Sequence, residues 1–325
     1  MMMKRFLQTL SLPLLLLSCE VGNACAAEMC RQEATSDRQI SDGRQFPFPE
    51  IPFSLQTPGA RKDYLLRHYW DKFDFADGRL LAEKDIAEQG FVNFIALLAD
   101  GETDDKLATV AMNTFCRQMT LQEEARKVFL PMAKSYLFDT RSPMYNEGMY
   151  ALFLHSLSHV AEKLDEAERQ RTTFLLKLIE RNRPGEKATD FNYYLPDGKE
   201  KRLSDTPVDG NWLILLFYDP ECEQCRETLG QMKADARLAE AVRQGRLTVL
   251  AIYTEGDEEV WHKTLDEIPK GWVVGSDRSI IKDRALYDLK AMPSLYLLDA
   301  GKRVLVKDGA FDTISSFIYS SQNIH

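Results

Sequence analysis

The sequence lacks three features that would narrow its function at once: repeats, tracts of positive charge, and long apolar runs beyond its first residues. No later apolar stretch is long enough for a transmembrane helix. The formal net charge of −9, with no lysine- or arginine-rich tract, argues against a nucleic-acid partner, because phosphate contacts need a basic surface. With 44% hydrophobic and 28% charged residues, the composition is that of an ordinary globular protein and excludes general disorder.

Cysteine is scarce, with six residues in a chain of 325. Three of the six lie within the first 30 residues, which excludes a disulfide-dense scaffold. Cys116 stands alone beside Phe115, and we expect it to be a buried small hydrophobic residue. The last two, Cys222 and Cys225, are separated by two residues and form the only cysteine motif of the sequence.

The N-terminal segment has the pattern of a secretory signal peptide. Lys4 and Arg5 precede a mainly apolar run over residues 6–17, which is too short to span a bilayer well. The four residues that end at Cys19 resemble a bacterial lipobox, which would make Cys19 the lipidated first residue. Residues 24–26 instead offer an A-x-A site for ordinary signal peptidase. We favour the lipoprotein, because Cys19 directly follows the apolar run. Either route predicts a periplasm-facing or outer-membrane protein of the cell envelope, where disulfides persist.

The first half of the remaining chain has the spacing of an all-α domain with about five or six helices. Thr120 and Glu123 are placed as a capping box that would begin one of these helices. Apolar residues recur three and four positions apart, and we expect one aromatic cluster to lie in the core rather than in a peptide-binding groove, namely Tyr69, Trp70, Phe73 and Phe75.

Pro184 and Gly185 break the helical pattern within a charged stretch, and we place a domain boundary there. Beyond it, buried-strand runs such as "WLILLFYD" and "RLTVLAIYT" alternate with helical ones, and "PDG" at residues 196–198 predicts a hairpin turn. This alternation predicts an α/β layer fold. The predicted organisation is a signal peptide over residues 1–26, a tether over 27–56, an all-α domain over 57–182 and an α/β domain over 187–320.

The Cys222–Cys225 pair could be a metal clip, a structural staple or a redox centre. Structural zinc needs four ligands, and the sequence has no second C-x-x-C and no histidine close to the pair. A disulfide across two residues closes a very short loop and removes little entropy from the unfolded chain. The redox interpretation explains the position best. Cys222 falls in the first turn of a predicted helix after a strand, where backbone N–H groups and the helix dipole stabilise a thiolate.

With these motifs the sequence resembles the thioredoxin-like superfamily, most closely the envelope thiol–disulfide oxidoreductases of the TlpA/ResA type. The resemblance rests on "FYDPECEQC" and on "LYDLKAMPSLYLLDAGKRVLVKDG", and covers residues 187–320. In that family a cis-proline faces the C-x-x-C and leaves a backbone edge free for the substrate, and Pro293 matches it. The helical half resembles a domain fused ahead of such enzymes in envelope lipoproteins.

The resemblance implies a role for each motif residue. Cys222 would be the nucleophile, Cys225 the resolving cysteine, and Pro293 the residue that presents the substrate. No bound cofactor and no metal are implied. The partners would be protein thiol or disulfide substrates and an envelope electron-donor protein, with contact to the membrane only through a lipid anchor.

Some residues depart from the family pattern. Glu221 stands where thioredoxins usually have Trp, Gln224 where they have Pro, and Leu216 where they have a buried acid. Glu221 and Glu223 disfavour a thiolate, whereas the helix dipole and Arg226 favour it. A pair with weakly stabilised thiolates suits a reductant better than a strong oxidant. The peroxiredoxin signature P-x-x-x-T/S-x-x-C is absent around the first cysteine.

The sequence therefore predicts an envelope thiol–disulfide oxidoreductase that acts on protein disulfides, as a reductant. The alternative is a lipid-anchored binding protein, in which the helical domain does the work and the thioredoxin-like domain is a scaffold.

Overall fold

The computed structural model describes residues 45–322 of the chain. The predicted signal peptide, including Cys19, and the predicted tether up to residue 44 lie outside the described residues. Within residues 45–322, seven α-helices precede an α/β region built on one mixed sheet, which confirms the predicted fold class. No helix in this range combines the length and the apolar composition needed to cross a bilayer.

The helical region begins with a short extended segment and then forms seven helices. Asp or Asn side chains cap several of them by accepting hydrogen bonds from first-turn N–H groups, as Asp104 does for α4 and Asn146 for α6. The bounds are α1 Pro58–His68, α2 Gly78–Ala82, α3 Lys84–Ala99, α4 Asp105–Met119, α5 Glu123–Leu137, α6 Glu147–Ser158 and α7 Glu166–Glu180.

The predicted capping box at Thr120 and Glu123 is wrong. The Thr120 hydroxyl donates to the carbonyl of Cys116 at 2.7 Å, so it closes the end of α4 instead of beginning α5. A capping box occurs at α7, where the Asp165 side chain accepts from the N–H of Glu168 and the Glu168 side chain accepts from the N–H of Asp165. A Thr hydroxyl at a helix end can bond back to a carbonyl one turn earlier, and here the Cys116 carbonyl accepts both the hydroxyl and the N–H of Thr120.

Aromatic rings fill the core of the helical region, as the sequence predicts. The four residues of the predicted cluster are all buried: Tyr69, Trp70, Phe73 and Phe75. Phe46, from the extended segment before α1, also packs there, with its ring centroid 4.9 Å from that of Tyr69. Gly90 permits this approach, because a Cβ at that position would lie 2.2 Å from the Phe46 ring. Cys116 is fully buried, as expected.

The α/β region has a seven-stranded sheet within the described residues, in the order β2-β1-β5-β4-β3-β6-β7. Strands β3, β4 and β5 run parallel, whereas β6 pairs antiparallel with β3. The predicted hairpin turns at Gly198, which has a φ of +81°. The bounds are β1 Asn192–Tyr194, β2 Glu200–Arg202, β3 Trp212–Tyr218, α8 Glu223–Ala234, α9 Ala236–Arg243, β4 Leu247–Tyr253, α10 Glu258–Thr264, β5 Val273–Ser276, α11 Ile280–Asp283, β6 Ser294–Asp299, β7 Val304–Val306 and α12 Phe311–Gln322.

Strand β3 lies at the centre of the sheet and is buried on both faces. Its residues alternate between two apolar cores, because successive side chains of a strand point to opposite faces. Leu216 packs in the core that also holds Cys225, while Phe217 packs in the other. The strand therefore pairs with β4 and β6 on its two edges and packs in a core on each face. Its carboxyl end fixes where the turn into α8 begins.

The helical and α/β regions belong to one compact unit that starts at Phe46. At the junction, the Asn182 amide donates to the carbonyl of Leu286 at 2.9 Å and accepts from the N–H of Thr189 at 2.7 Å. Gly185 donates to the carbonyl of Val304 at 2.8 Å, so the connecting segment runs along β7. The segment between the two regions is thus bonded to the α/β region.

A buried ion cluster crosses the same junction. Glu147, the first residue of α6, accepts hydrogen bonds from Lys290 at 2.5 Å and from Lys307 at 2.6 Å. The lysine side chains are only 10% and 7% exposed. Burial opposes the ionisation of Glu147, but the two lysines outweigh it and lower the pKa of its carboxyl.

Replacing Glu147 with Ala is expected to destabilise the protein by about 3 kcal/mol, because it leaves the buried ammonium group of Lys307 without a counter-charge. Lys290 keeps a second partner, the Asp288 carboxylate at 2.7 Å. Denaturant unfolding at neutral pH measures the difference. The lowered pKa means that Glu147 contributes stability above its ordinary value of 4.5 and loses it on acidification, so the penalty should shrink at low pH. Glu259→Ala removes an exposed pair with Lys263 and should leave the midpoint unchanged. An equal effect of both variants would contradict the buried-cluster interpretation.

Candidate active site

The C-x-x-C motif lies where the central strand β3 passes into helix α8. A tight turn joins them: the N–H of Cys222 donates to the carbonyl of Asp219 at 3.2 Å, and the N–H of Glu221 donates to the Asp219 carboxylate at 2.9 Å. Arg226 reaches back from α8 and donates to the carbonyls of Pro220 and Glu221 at 3.1 and 3.0 Å. Hydrogen bonds from the turn before Cys222 and from helix α8 after it therefore fix the position of this residue.

The two sulfurs occupy different environments. Cys222 is the N-cap residue of α8 and is partly buried, and its thiol contacts the carbonyl of Met292 at 3.6 Å. Cys225 lies in the first turn of α8, is fully buried, and accepts a hydrogen bond from the N–H of Asp219 at 3.4 Å. Both are free thiols in this structure. A reactant approaching from solvent thus meets Cys222 first.

The inner sulfur is held as a thiol. The pKa of Cys225 is raised to about 12, mainly by burial; the Asp219 N–H opposes the rise and the neighbouring Cys222 adds to it. Cys225 is therefore protonated across neutral pH.

The loop facing the motif is held on several sides. Its Met292–Pro293 peptide bond is cis, and Pro293 is partly buried, next to the residue whose carbonyl contacts Cys222. The Ser294 hydroxyl donates to Asp308 at 2.7 Å, and burial raises the pKa of that carboxyl. Lys290, two residues before Met292, connects the loop to α6 of the helical region. The structure thus brings Cys222, Cys225 and the Met292–Pro293 segment together.

The residues that depart from the family pattern have separate surroundings. Leu216 is fully buried in β3, so the position that holds an acid in thioredoxins is apolar here. Glu221 is exposed beside the motif. Gln224 is also exposed, and its amide donates to Glu227 at 2.9 Å.

A cavity of about 950 Å³ lies between the helical region and the active-site loop. Gln224, Ala291 and Met292 line it from the α/β side, and residues of α5, α6 and α7 line it from the other. The sequence did not reveal this cavity, whose two sides are at least 49 residues apart along the chain, nor the link from Lys290 to Glu147, which spans 143 residues.

Comparison with known proteins agrees with this architecture. Residues 184–306 match the AhpC/TSA family, and residues 24–182 match a family described as Domain of unknown function (DUF5106). The chain is 33% identical to a thioredoxin-like protein of Bacteroides caccae of known crystal structure; the match covers 84% of this chain and 98% of that one, with a TM-score of 0.71.

Two further similarities are confined to part of the chain. The crystallised C-terminal domain of an uncharacterized protein from Bacteroides fragilis is 34% identical over 42% of this chain and 96% of its own, with a TM-score of 0.40. A rice protein (Oryza sativa subsp. japonica) named "Probable nucleoredoxin 3" is 26% identical over 148 residues, which is 46% of this chain and 30% of that protein. The chain therefore matches less than a third of that curated relative's length.

The match along nearly the whole B. caccae protein shows the family: the chain belongs to the thioredoxin-like proteins. The resemblance to the thioredoxin-like superfamily inferred from the sequence is thereby confirmed.

The different burial of the two sulfurs predicts an order of reactivity. In a Cys225→Ser variant, iodoacetamide should modify Cys222 readily at pH 8. In a Cys222→Ser variant, Cys225 should react slowly at that pH and faster as the pH rises towards its pKa of about 12. Because folding favours the neutral Cys225 thiol, the stability it contributes is complete below its unfolded value of about 9 and is lost above it.

Mass spectrometry of the native variants with fragment-ion assignment checks this order. Cys116, buried in the helical core, serves as an internal control that should stay unmodified in both variants. Faster alkylation of Cys225 than of Cys222 at pH 8 would contradict the assignment of outer and inner sulfurs.

Proposed function

We propose that the chain is a thiol–disulfide oxidoreductase of the cell envelope, which exchanges disulfides with protein substrates through Cys222 and Cys225. The observation that carries the proposal is the placement of the two sulfurs. The thiol of Cys222 is the reachable one and lies against the Met292 carbonyl, and Cys225 is buried behind it in the same helical turn. This arrangement gives one sulfur for attack and one for resolution.

The exchange follows from these positions. The Cys222 thiolate attacks one sulfur of a substrate disulfide, so a mixed disulfide forms and the other substrate sulfur leaves as a thiolate. Cys225 gives up its proton and attacks the sulfur of Cys222. The Cys222–Cys225 disulfide then forms, and the second substrate sulfur is released as a thiol. The substrate gains two electrons and the enzyme pair loses two, so a partner thiol protein must reduce the pair again.

Pro293 takes the role of presenting the substrate. It precedes β6 and follows Met292, whose carbonyl contacts Cys222. An extended substrate segment can pair with a free backbone edge of this kind, as in other cases of strand addition. Lys290 and Ser294, on either side, hold the loop in place for that encounter.

We infer that the protein works as a reductant. A strong oxidant of this chemistry owes its potential to a stabilised reduced form with an ionised cysteine. Burial acts in the opposite direction at Cys225, since it raises the pKa of the thiol.

The sequence supports an envelope location. The basic and apolar N-terminal pattern is that of a signal peptide over residues 1–26, with lipidation at Cys19 as the proposed anchor. Disulfides persist in that compartment and supply substrates. Residues 57–182 would form the helical domain and residues 187–320 the catalytic one.

The competing proposal, a binding protein with an idle cysteine pair, differs in what a Cys225→Ala variant does. If the pair is catalytic, Cys222 of this variant forms mixed disulfides that cannot be resolved, and partner proteins stay attached on non-reducing gels. The Cys222→Ala/Cys225→Ala double variant, which keeps the other four cysteines, should capture none. Equal capture by the two variants, or none by either, would contradict the catalytic proposal.

A further inference from the structure

The cavity beside the active-site loop has two walls of different origin. One wall belongs to the redox centre: Gln224 stands between the two cysteines, and Met292 carries the carbonyl that lies 3.6 Å from the Cys222 sulfur. A substrate sulfur bonded to Cys222 would therefore have the cavity at its side. The volume of about 950 Å³ is at the upper end of the range for ligand sites, so it can accept more than a single side chain.

The opposite wall is apolar and comes from the helical region. Leu130 of α5, Leu157 of α6 and Leu175 of α7 line it, together with the rings of Phe138 and Tyr150. Ligand sites are commonly lined in this way and form where two domains meet. The helical region thus supplies a surface for apolar groups within reach of the redox pair.

Most of the charged residues that line the cavity already have an ion-pair or hydrogen-bond partner. Arg141 pairs with Asp139 at 2.8 Å, and Glu168 pairs with Arg126 at 2.9 Å. Lys290 is committed to Glu147, and the Asp165 carboxylate caps α7. Two exposed lining cations remain, Lys134 of α5 and Arg171 of α7, and neither has an ion pair or a side-chain hydrogen bond with any residue in the range 45–322.

We propose that this cavity is the subsite for the polypeptide that flanks the substrate cysteine, and that it selects an extended segment with apolar side chains and an acidic residue. The apolar wall would bury the side chains, and Lys134 and Arg171 would pair with the carboxylate. The inference rests on the proposed function, since it assigns a substrate preference to the same redox pair. In this proposal the helical domain is the part of the protein that recognises the substrate.

The test uses three short peptides, each with one cysteine held as a mixed disulfide with 2-mercaptoethanol. The cysteine is flanked by Leu and Glu, by Leu and Lys, or by Ser and Gly. Cys222 of the reduced protein attacks the peptide sulfur and 2-mercaptoethanol leaves; Cys225 then displaces the peptide as a thiol. Each rate is divided by the rate with hydroxyethyl disulfide, a small neutral substrate that needs no cavity, measured on the same variant.

We expect the Leu/Glu peptide to react about tenfold faster than the Leu/Lys peptide at low salt, with the difference shrinking as salt is added. The Lys134→Glu/Arg171→Glu double variant should reverse that order. Lys177→Glu changes an exposed lysine of the same helix α7 that does not line the cavity, and it should keep the original order.

A steric pair of variants tests the apolar part. Ala167 is an exposed lining residue near the start of α7, and Ala167→Trp should lower the relative rate of both Leu-containing peptides. Thr173→Trp places the same ring on an exposed position of α7 away from the cavity and should not.

The outcomes separate the two proposals. Equal relative rates for the three peptides, with hydroxyethyl disulfide still reduced, would overturn the subsite and leave the oxidoreductase proposal standing. A protein that reduces neither the peptides nor hydroxyethyl disulfide would overturn both.

Discussion

The partly buried carboxylate of Glu147 makes the contact on which the arrangement of the active site depends. It binds one lysine on each side of β6: Lys290 from the loop that faces the redox pair, and Lys307 from the end of β7. Burying the two lysine charges has a large desolvation cost, which only good hydrogen bonds can offset. The helical region supplies the Glu147 carboxylate and Asp288 supplies a second one from the loop itself, so both hold Lys290 and the loop beside Cys222 in place.

The packing around β3 and the active-site loop determines where the two sulfurs lie. The apolar strand β3 fixes the start of the turn, Arg226 holds the turn, and the held loop places the Met292 carbonyl against the outer sulfur. Cys225 is kept neutral by burial in the core beside Leu216. One sulfur is thus available to a partner and the other is protected until a mixed disulfide forms. The cavity lies on the open side of this arrangement, between the loop and the helical region.

Short sequence patterns correctly predicted the features that depend on residues close together along the chain. Runs of apolar residues gave the central strands, the "PDG" turn gave the hairpin, and the two motifs gave Cys222, Cys225 and Pro293 together. The predicted capping box at Thr120 is wrong, because the hydroxyl bonds back to the Cys116 carbonyl of its own helix instead of capping α5. Glu147 and its lysines carry no sequence signal, since a charged residue is normally solvated. The sequence places Phe46 in the predicted tether, and only the tertiary structure shows its ring among the core aromatics.

The reduction potential of the Cys222–Cys225 pair tests the central claim most directly. The chain from Glu28, with Cys30 replaced by Ser, would be equilibrated in thiol buffers of known potential, and the fraction of free Cys222 would be measured by alkylation. We expect a reversible two-electron transition near that of thioredoxin, about −270 mV, rather than near the oxidant value of about −120 mV. A pair that stays oxidised well below about −300 mV would be a structural disulfide and would contradict a role in disulfide exchange.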